Sequence, residues 1–436
     1  MEKLKDYLKQ RLFFYQNQCV HEGRKTLTYA QLLADAEVLA SKLKEGCKYG
    51  ILCRSELMTA TAILACIISN AVAVPVSVRY GDKHIKSITE NIRLSYIIDD
   101  SGVNVLSESN DETEDLSDVV AILCTSGTTG TPKGVMLTDE NILHNIKAIQ
   151  KYFRVNEKDR ILIVRSLFHA AAMTGEFLFG LSVGADITFL GNSTIPLLAA
   201  KTIVEKKITV MCTTPTLLKN ICTPLSKQKE ISLRSVAVSG ECLTLPAAKK
   251  IRTSLPGTDL YNVYGLTEAS PRVTALMPGD FDRHPDSVGK PIDGVEVRID
   301  DGELCVKGAN VMKGYYMNPS ETKRKIVDGW LYTGDAAEIS DGLLYIRGRK
   351  DNMMIRAGMN IYPQEIESVL LQSDNVYEAL AYERDGEIRV KVVGDITDKE
   401  AFALFKENLP SYAIPDKVEF VDELPKSVAG KLVRHG

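Results

Sequence analysis

Short apolar runs alternate along this chain with longer segments whose apolar residues recur every three or four positions. Residues 119–124 are apolar and partly β-branched, which predicts a buried strand, and 135–137 predict a second short one. A polar loop separates them. After the second strand, Thr138 or Asp139 is placed to cap a helix, and Ile142, Ile146, Ile149 and Phe153 give that helix one apolar face. A short helix is expected over 4–14, and a strand end at Leu27 leads into a helix running to Leu43. Residues 49–53 and 73–78 read as strands flanking a helix around 60–69, and 160–164, 187–190, 209–212 and 235–239 as strands between helical stretches. This alternation predicts α/β layers.

The texture changes at Gly294. Residues 295–299, 302–308, 330–339 and 343–348 are short alternating strands with glycine turns, a β-rich subdomain. After Arg349 a small α+β segment follows, with helices at 363–371 and 399–408 and strands at 377–382 and 388–393. The expected fold class is therefore α/β: a large domain over 1–348, β-rich from about 290, then a hinge at 349–351 and a small α+β domain at 352–436.

Composition narrows the options. The chain has 436 residues, 25% charged and 44% hydrophobic, which suits two or more globular domains. A net charge of −4 gives no broad electrostatic case for nucleic acid. The nine cysteines form no C-x-x-C pair, and Cys66, Cys124 and Cys212 sit in apolar runs, as buried free thiols in a reducing cytoplasm do. The N-terminal residues carry charges where a signal peptide needs an apolar core. The longest apolar stretch, 58–78, is broken by Ser69, Asn70 and Pro75, so a core helix followed by a strand is expected rather than a membrane span. The acids of 107–118 read as a solvated connection.

Candidate chemistry concentrates in a few places. Thr125, Ser126, Gly127, Thr128, Thr129, Gly130, Thr131, Lys133 and Gly134 form a loop of close-turning glycines, hydroxyl donors and one mobile cation, suited to an anion such as phosphate. It is not a Walker A loop, because the lysine precedes the last glycine and strands flank both sides. In the YNVYGLTEAS run, Asn262 offers a donor–acceptor pair, Tyr264 a flat face and Gly265 a close backbone approach. Thr267 offers a hydroxyl and Glu268 a hard oxygen ligand. Asp335 can accept from two sugar hydroxyls, and Arg349 and Asp351 follow in the GRKD run. Lys431 follows Gly430 near the end of the chain.

SGTTGTPKG resembles the signature loop of the adenylate-forming superfamily of acyl- and aryl-CoA synthetases, amino-acid adenylation domains and luciferases, and further similar motifs follow in family order from LTYAQL to GKLVR. The resemblance implies a mobile small domain hinged at Asp351 and carrying a catalytic Lys431. Gly240 and Glu241, in VSGECL, would lie against adenine, Glu268 would bind Mg²⁺, and His169, in SLFHAAAMTG, would gate the acyl pocket. Histidine where amino-acid adenylation domains tend to carry aspartate favours a carboxylic acid without an α-amino group. Arg272 departs from the apolar residue frequent in acyl-CoA synthetases; it either pairs internally, the preferred reading, or meets an acidic substrate. The implied cofactors are ATP and Mg²⁺, with coenzyme A as thiol acceptor or, alternatively, the phosphopantetheine of an acyl carrier protein. An amino-acid adenylating enzyme or a non-catalytic acyl-adenylate-binding protein is the remaining alternative.

Overall fold

The computed structural model describes residues 2–106, 114–125, 132–191, 195–228, 230–356, 358–373, 375–425 and 434. Two large sheets organise the first three quarters of it. In one, the strands run in the order Lys290–Pro291, Arg272–Leu276, Asp259–Gly265, Ser235–Val238, Val210–Thr213, Arg160–Ile163, Asp186–Phe189, Cys19–Glu22 and Lys25–Thr28. The six from Asp259–Gly265 to Cys19–Glu22 are mutually parallel, and antiparallel strands close both edges. Their uninterrupted apolar character follows from burial on both faces. The second sheet runs Gly314–Tyr315, Lys133–Thr138, Val119–Thr125, Val72–Pro75, Lys48–Ile51, Tyr96–Asp99 and Gly102–Val105.

The main core lies between these sheets, joining Ile51, Ala73 and Leu123 of one to Ile161, Ile187 and Val263 of the other. Helix Glu56–Ile68 runs through it, buried on almost every side, and so carries apolar residues all round instead of a stripe. Helix Asp139–Tyr152 starts at a capping box in which Thr138 and Asn141 satisfy each other's backbone donors. Helices Pro196–Glu205, Pro215–Leu225 and Leu245–Ser254 cover the outer face of the first sheet, each with proline in its first turn. Among the described residues no helix is long and apolar enough to cross a membrane.

The β-rich segment forms a five-stranded sheet, in which Val295–Asp300, Glu303–Gly308, Trp330–Ser340 and Ile326–Val327 neighbour one another and Leu343–Arg349 pairs with Trp330–Ser340. Beyond it, Val376–Arg384, Glu387–Gly394 and Lys417–Phe420 make a three-stranded sheet backed by helices Pro363–Leu370 and Asp398–Asn408. Its apolar cluster, from Met354 to Val418, shares no residue with the other cores. The 3₁₀ turn Lys350–Asn352 stands between the two sheets.

Candidate active site

The phosphate-type loop leaves the strand Val119–Thr125 and returns on Lys133–Thr138, with Thr125 opposite Lys133 in register. Ser126, Gly127, Thr128, Thr129 and Gly130 lie outside the described residues, as does Lys431. Lys133 Nζ sits 2.6 Å from Glu321 Oε1 and 5.5 Å from the ring centre of Tyr315. The Tyr315 hydroxyl donates to Glu268 Oε1 at 2.9 Å. Tyr315 thus joins two motifs far apart in sequence: the lysine of the glycine-rich loop and the acid of YNVYGLTEAS. Among the described residues only one oxygen of the half-exposed Glu268 carboxylate is used, so the hard donor expected of a magnesium ligand is present.

A second group forms around Asp335. Tyr264 Oη donates to Asp335 Oδ2 at 2.5 Å, and Arg349 Nη1 reaches Oδ1 at 3.2 Å. Asp335 and Arg349 face each other in the antiparallel pairing of their strands, which fixes this contact through the backbone. Burial pushes the Asp335 carboxyl up, with Arg349 opposing, and the hydroxyl of Tyr264 is raised by burial and by Asp335. Arg349 also approaches Asp351 at 3.5 Å, at the junction with the small domain.

Asn262 is buried, and its amide nitrogen already donates to the carbonyls of Pro285 and Ser287 at 3.3 and 2.8 Å, so only the amide oxygen remains for a ligand. A Cβ on Gly265 would stand 1.7 Å from the Pro271 carbonyl oxygen, so this close approach requires glycine. Gly240 has φ +90°, and the exposed Glu241 accepts from the Thr216 amide at 3.2 Å. Thr267 opens a single 3₁₀ turn that presents Glu268. His169 precedes the helical turn Ala170–Ala172 and packs its ring 3.9 Å from that of Phe168, centre to centre. The loop before it is pinned by Glu56, whose Oε2 accepts from the Leu167 amide at 3.0 Å.

Several residues of this region carry no motif signal. Glu321 and Tyr315 come from the excursion of the chain between strands Glu303–Gly308 and Ile326–Val327 of the β-rich sheet. Arg165 and Glu176 bind each other, Nη2 to Oε1 at 2.5 Å, with the Glu176 side chain fully buried. A lone acid in the apolar stretch 170–183 was a signal that could have found Glu176. Arg272 is buried and packs internally, hydrogen-bonded to the side chains of Tyr152 and Cys212 and within the field of Glu176, but among the described residues it forms no direct ion pair: Glu176 is taken by Arg165, and Arg272 Nε has no hydrogen-bond partner.

Strand ends that present glycine, hydroxyls and acids beside a lysine-bearing turn define a nucleotide-handling α/β enzyme. The chain belongs to the AMP-binding enzyme family, whose model matches residues 9–316; the model of the AMP-binding enzyme C-terminal domain matches 365–431. It is similar to a 2-succinylbenzoate--CoA ligase of Geobacillus kaustophilus, 29% identical over 483 residues with 100% of this chain and 97% of the relative covered. A ligase of the same name from Bacillus pumilus is 33% identical over 342 residues, covering 74% of this chain and 69% of the relative. Among solved structures, the O-succinylbenzoate Coenzyme A Synthetase of Bacillus subtilis, in complex with ATP and magnesium ion, matches with a TM-score of 0.86 and 26% identity, over 98% of each chain. The chain is thus an AMP-forming acid–thiol ligase in class.

Proposed function

We propose that the protein adenylates a carboxylic acid without an α-amino group, fatty, aryl or related, using ATP and releasing pyrophosphate, and then passes the acyl group to the thiol of coenzyme A with release of AMP. The observation that carries this reading is the line from Lys133 through Tyr315 to Glu268, which sets a cation and a hard oxygen ligand on either side of one tyrosine. A carboxylate is a poor electrophile; replacing one oxygen by AMP makes it reactive. Attack on the α-phosphorus crowds anionic groups together, so the protein's task is charge stabilisation more than proton transfer.

In this reading Thr125 and the 126–130 loop cradle the β- and γ-phosphates beside Lys133. Thr267 reaches a phosphate oxygen. Glu268 would hold Mg²⁺, which supplies positive charge to the triphosphate. Asp335 accepts from the ribose hydroxyls with Arg349 behind it. Tyr264 stacks on adenine, Gly240 and Glu241 border the base, and the amide oxygen of Asn262 accepts from its exocyclic amine. His169 closes over the acid. Lys431 bridges the attacking carboxylate and the α-phosphate, and must then withdraw so that the thiol can enter. Rotation of the small domain, residues 352–436, about a hinge at 349–351 resolves the two demands. Nine free cysteines suit a cytoplasmic setting.

The test is ATP–pyrophosphate exchange with a panel of acids. Lys431→Ala should abolish exchange yet spare thiolysis of a supplied acyl-adenylate. Full exchange activity in that variant removes Lys431 from the mechanism. Thiolysis by a phosphopantetheinyl carrier protein but not by coenzyme A would reassign the acceptor.

A further inference from the structure

We propose that the acid activated by this enzyme carries a second carboxylate, held at the inner end of its pocket by Arg272 with Arg165 beside it. The inference rests on the ligase reading above and specifies its substrate class. Its basis is where the chain has placed charge. Arg165 follows the strand Arg160–Ile163, Ser239 follows Ser235–Val238, and Gly265 ends Asp259–Gly265; all three lie at carboxyl ends of parallel strands, where open α/β sheets take their ligands. Arg272 faces Gly265 in register and belongs to the same end. The π-helical turn Met173–Leu178, a form frequent at functional sites, roofs it: a Cβ on Gly175 would lie 3.2 Å from Arg272 Nη2, so the guanidinium passes directly beneath. Arg165 links this inner end to the proposed adenylate site, since its Nη1 bonds Ser239 Oγ at 3.1 Å and lies 3.8 Å from where a Cβ on Gly240 would be.

The charges there do not balance. Two guanidiniums, permanently ionised, face one carboxylate, Glu176. The Arg165 and Glu176 side chains are 14% and 0% exposed, and Arg272 is 2% exposed. The other ionisable groups near Arg272 are Tyr152 and Cys212, both held neutral because burial pushes them up to about 12. No second acid among the described residues pairs with either arginine. An uncompensated buried charge is costly, and so is an unmet donor. Among the described residues Arg272 Nε and Glu176 Oε2 both have no hydrogen-bond partner. An alkyl tail would leave the surplus charge and the free N–H as they are. A hydroxyl or amide would satisfy the donor but not the charge. A carboxylate meets both.

The experiment is ATP–pyrophosphate exchange on the full chain with an aromatic and an aliphatic diacid, each against its monomethyl ester and a monocarboxylic acid of equal length. Wild type should favour the diacids in kcat/KM by at least about thirtyfold, the loss expected when one partner of a buried charged hydrogen bond is removed. Arg272→Met should erase that preference while leaving monocarboxylate exchange within about threefold, and Arg272→Lys should restore part of it. Wild type that prefers monocarboxylates overturns the inference and leaves the ligase reading intact; this arm decides even if the methionine variant does not fold. Equal loss of diacids and monoacids in Arg272→Met also overturns it. Exchange with no acid at all overturns the ligase reading, and the inference with it.

Discussion

Lys133 and Glu321, 188 positions apart, form an ion pair of 2.6 Å at the mouth of the glycine-rich loop. Glu321 is well placed to hold that lysine. Asn318 caps its helix, Arg324 binds both of its oxygens at 2.7 Å, and these partners bring its carboxyl down to about 2, Arg324 contributing most and Lys133 next. In the unliganded enzyme the cation is therefore already engaged, and a triphosphate must compete for it. Glu321→Gln should lower the KM for ATP by at least about two- to fivefold, the worth of even an exposed pair, since this one is mostly buried, while Lys133→Met should raise it. ATP titration of pyrophosphate exchange checks both, and an unchanged KM in Glu321→Gln would mean that nucleotide and glutamate do not compete.

Tyr264 and Asp335 separate two contributions to nucleotide affinity. The Tyr264 ring is proposed to stack on adenine, whereas its hydroxyl orients Asp335 for the ribose. Tyr264→Phe keeps the ring and removes the 2.5 Å hydrogen bond. AMP affinity should fall about tenfold by calorimetric titration, in keeping with the roughly 1.5 kcal/mol of a hydrogen bond to a charged group. Asp335→Ala should cost more, because Arg349 then loses its partner as well.

The elements that could be read along the chain were those whose burial repeats at a fixed period. Helix Leu4–Phe14 has its expected bounds, and the strand expected over 73–78 stops at Pro75, which cannot donate to a ladder. Helix Asp82–Asn91 escaped, since it buries only Ile88 and offers just Ile85 and Ile88 as apolar residues; the π-helical turn has no periodic signature at all. Site residues follow the same logic. Glycine, hydroxyl and carboxylate types clustered in sequence announced Gly265, Glu268 and Asp335. Glu321, Tyr315 and the Arg165–Glu176 pair matter only through contacts made by the folded chain, and nothing local marks the first two.

Arg434 is expected to act on adenylation from a distance. Its guanidinium is clasped by Glu367, with Nη2 3.0 Å from Oε2 and Nη1 also on Oε1, and it donates to the Ala381 carbonyl at 2.9 Å. It lies three positions beyond Lys431 in sequence and is itself held to helix Pro363–Leu370 and strand Val376–Arg384. Removing one member of such a buried pair costs about 3–5 kcal/mol. Arg434→Ala should lower kcat for exchange with little change in the KM for ATP, and lower the thermal midpoint of the small domain. A variant altered only in the KM for ATP would contradict this role.

His144 gives a pH dependence unrelated to chemistry at the site. It lies on helix Asp139–Tyr152 with Nδ1 buried and unpartnered, and Nε2 is 2.4 Å from where a Cβ on Gly294 would stand. Burial lowers its pKa from 6.5, with Lys151 adding to the effect and Asp293 and Glu140 opposing it. The unfolded chain therefore binds a proton at a higher pH than the folded one. Stability is unaffected well above pH 6.5 and declines as pH falls below it, because the unfolded state takes up the proton first. His144→Gln removes that proton uptake. The gap in thermal midpoint between wild type and variant should be constant from pH 8 to about 7 and shift against wild type between about pH 6.5 and 5. A gap that does not change over that interval would show that His144 titrates alike in both states.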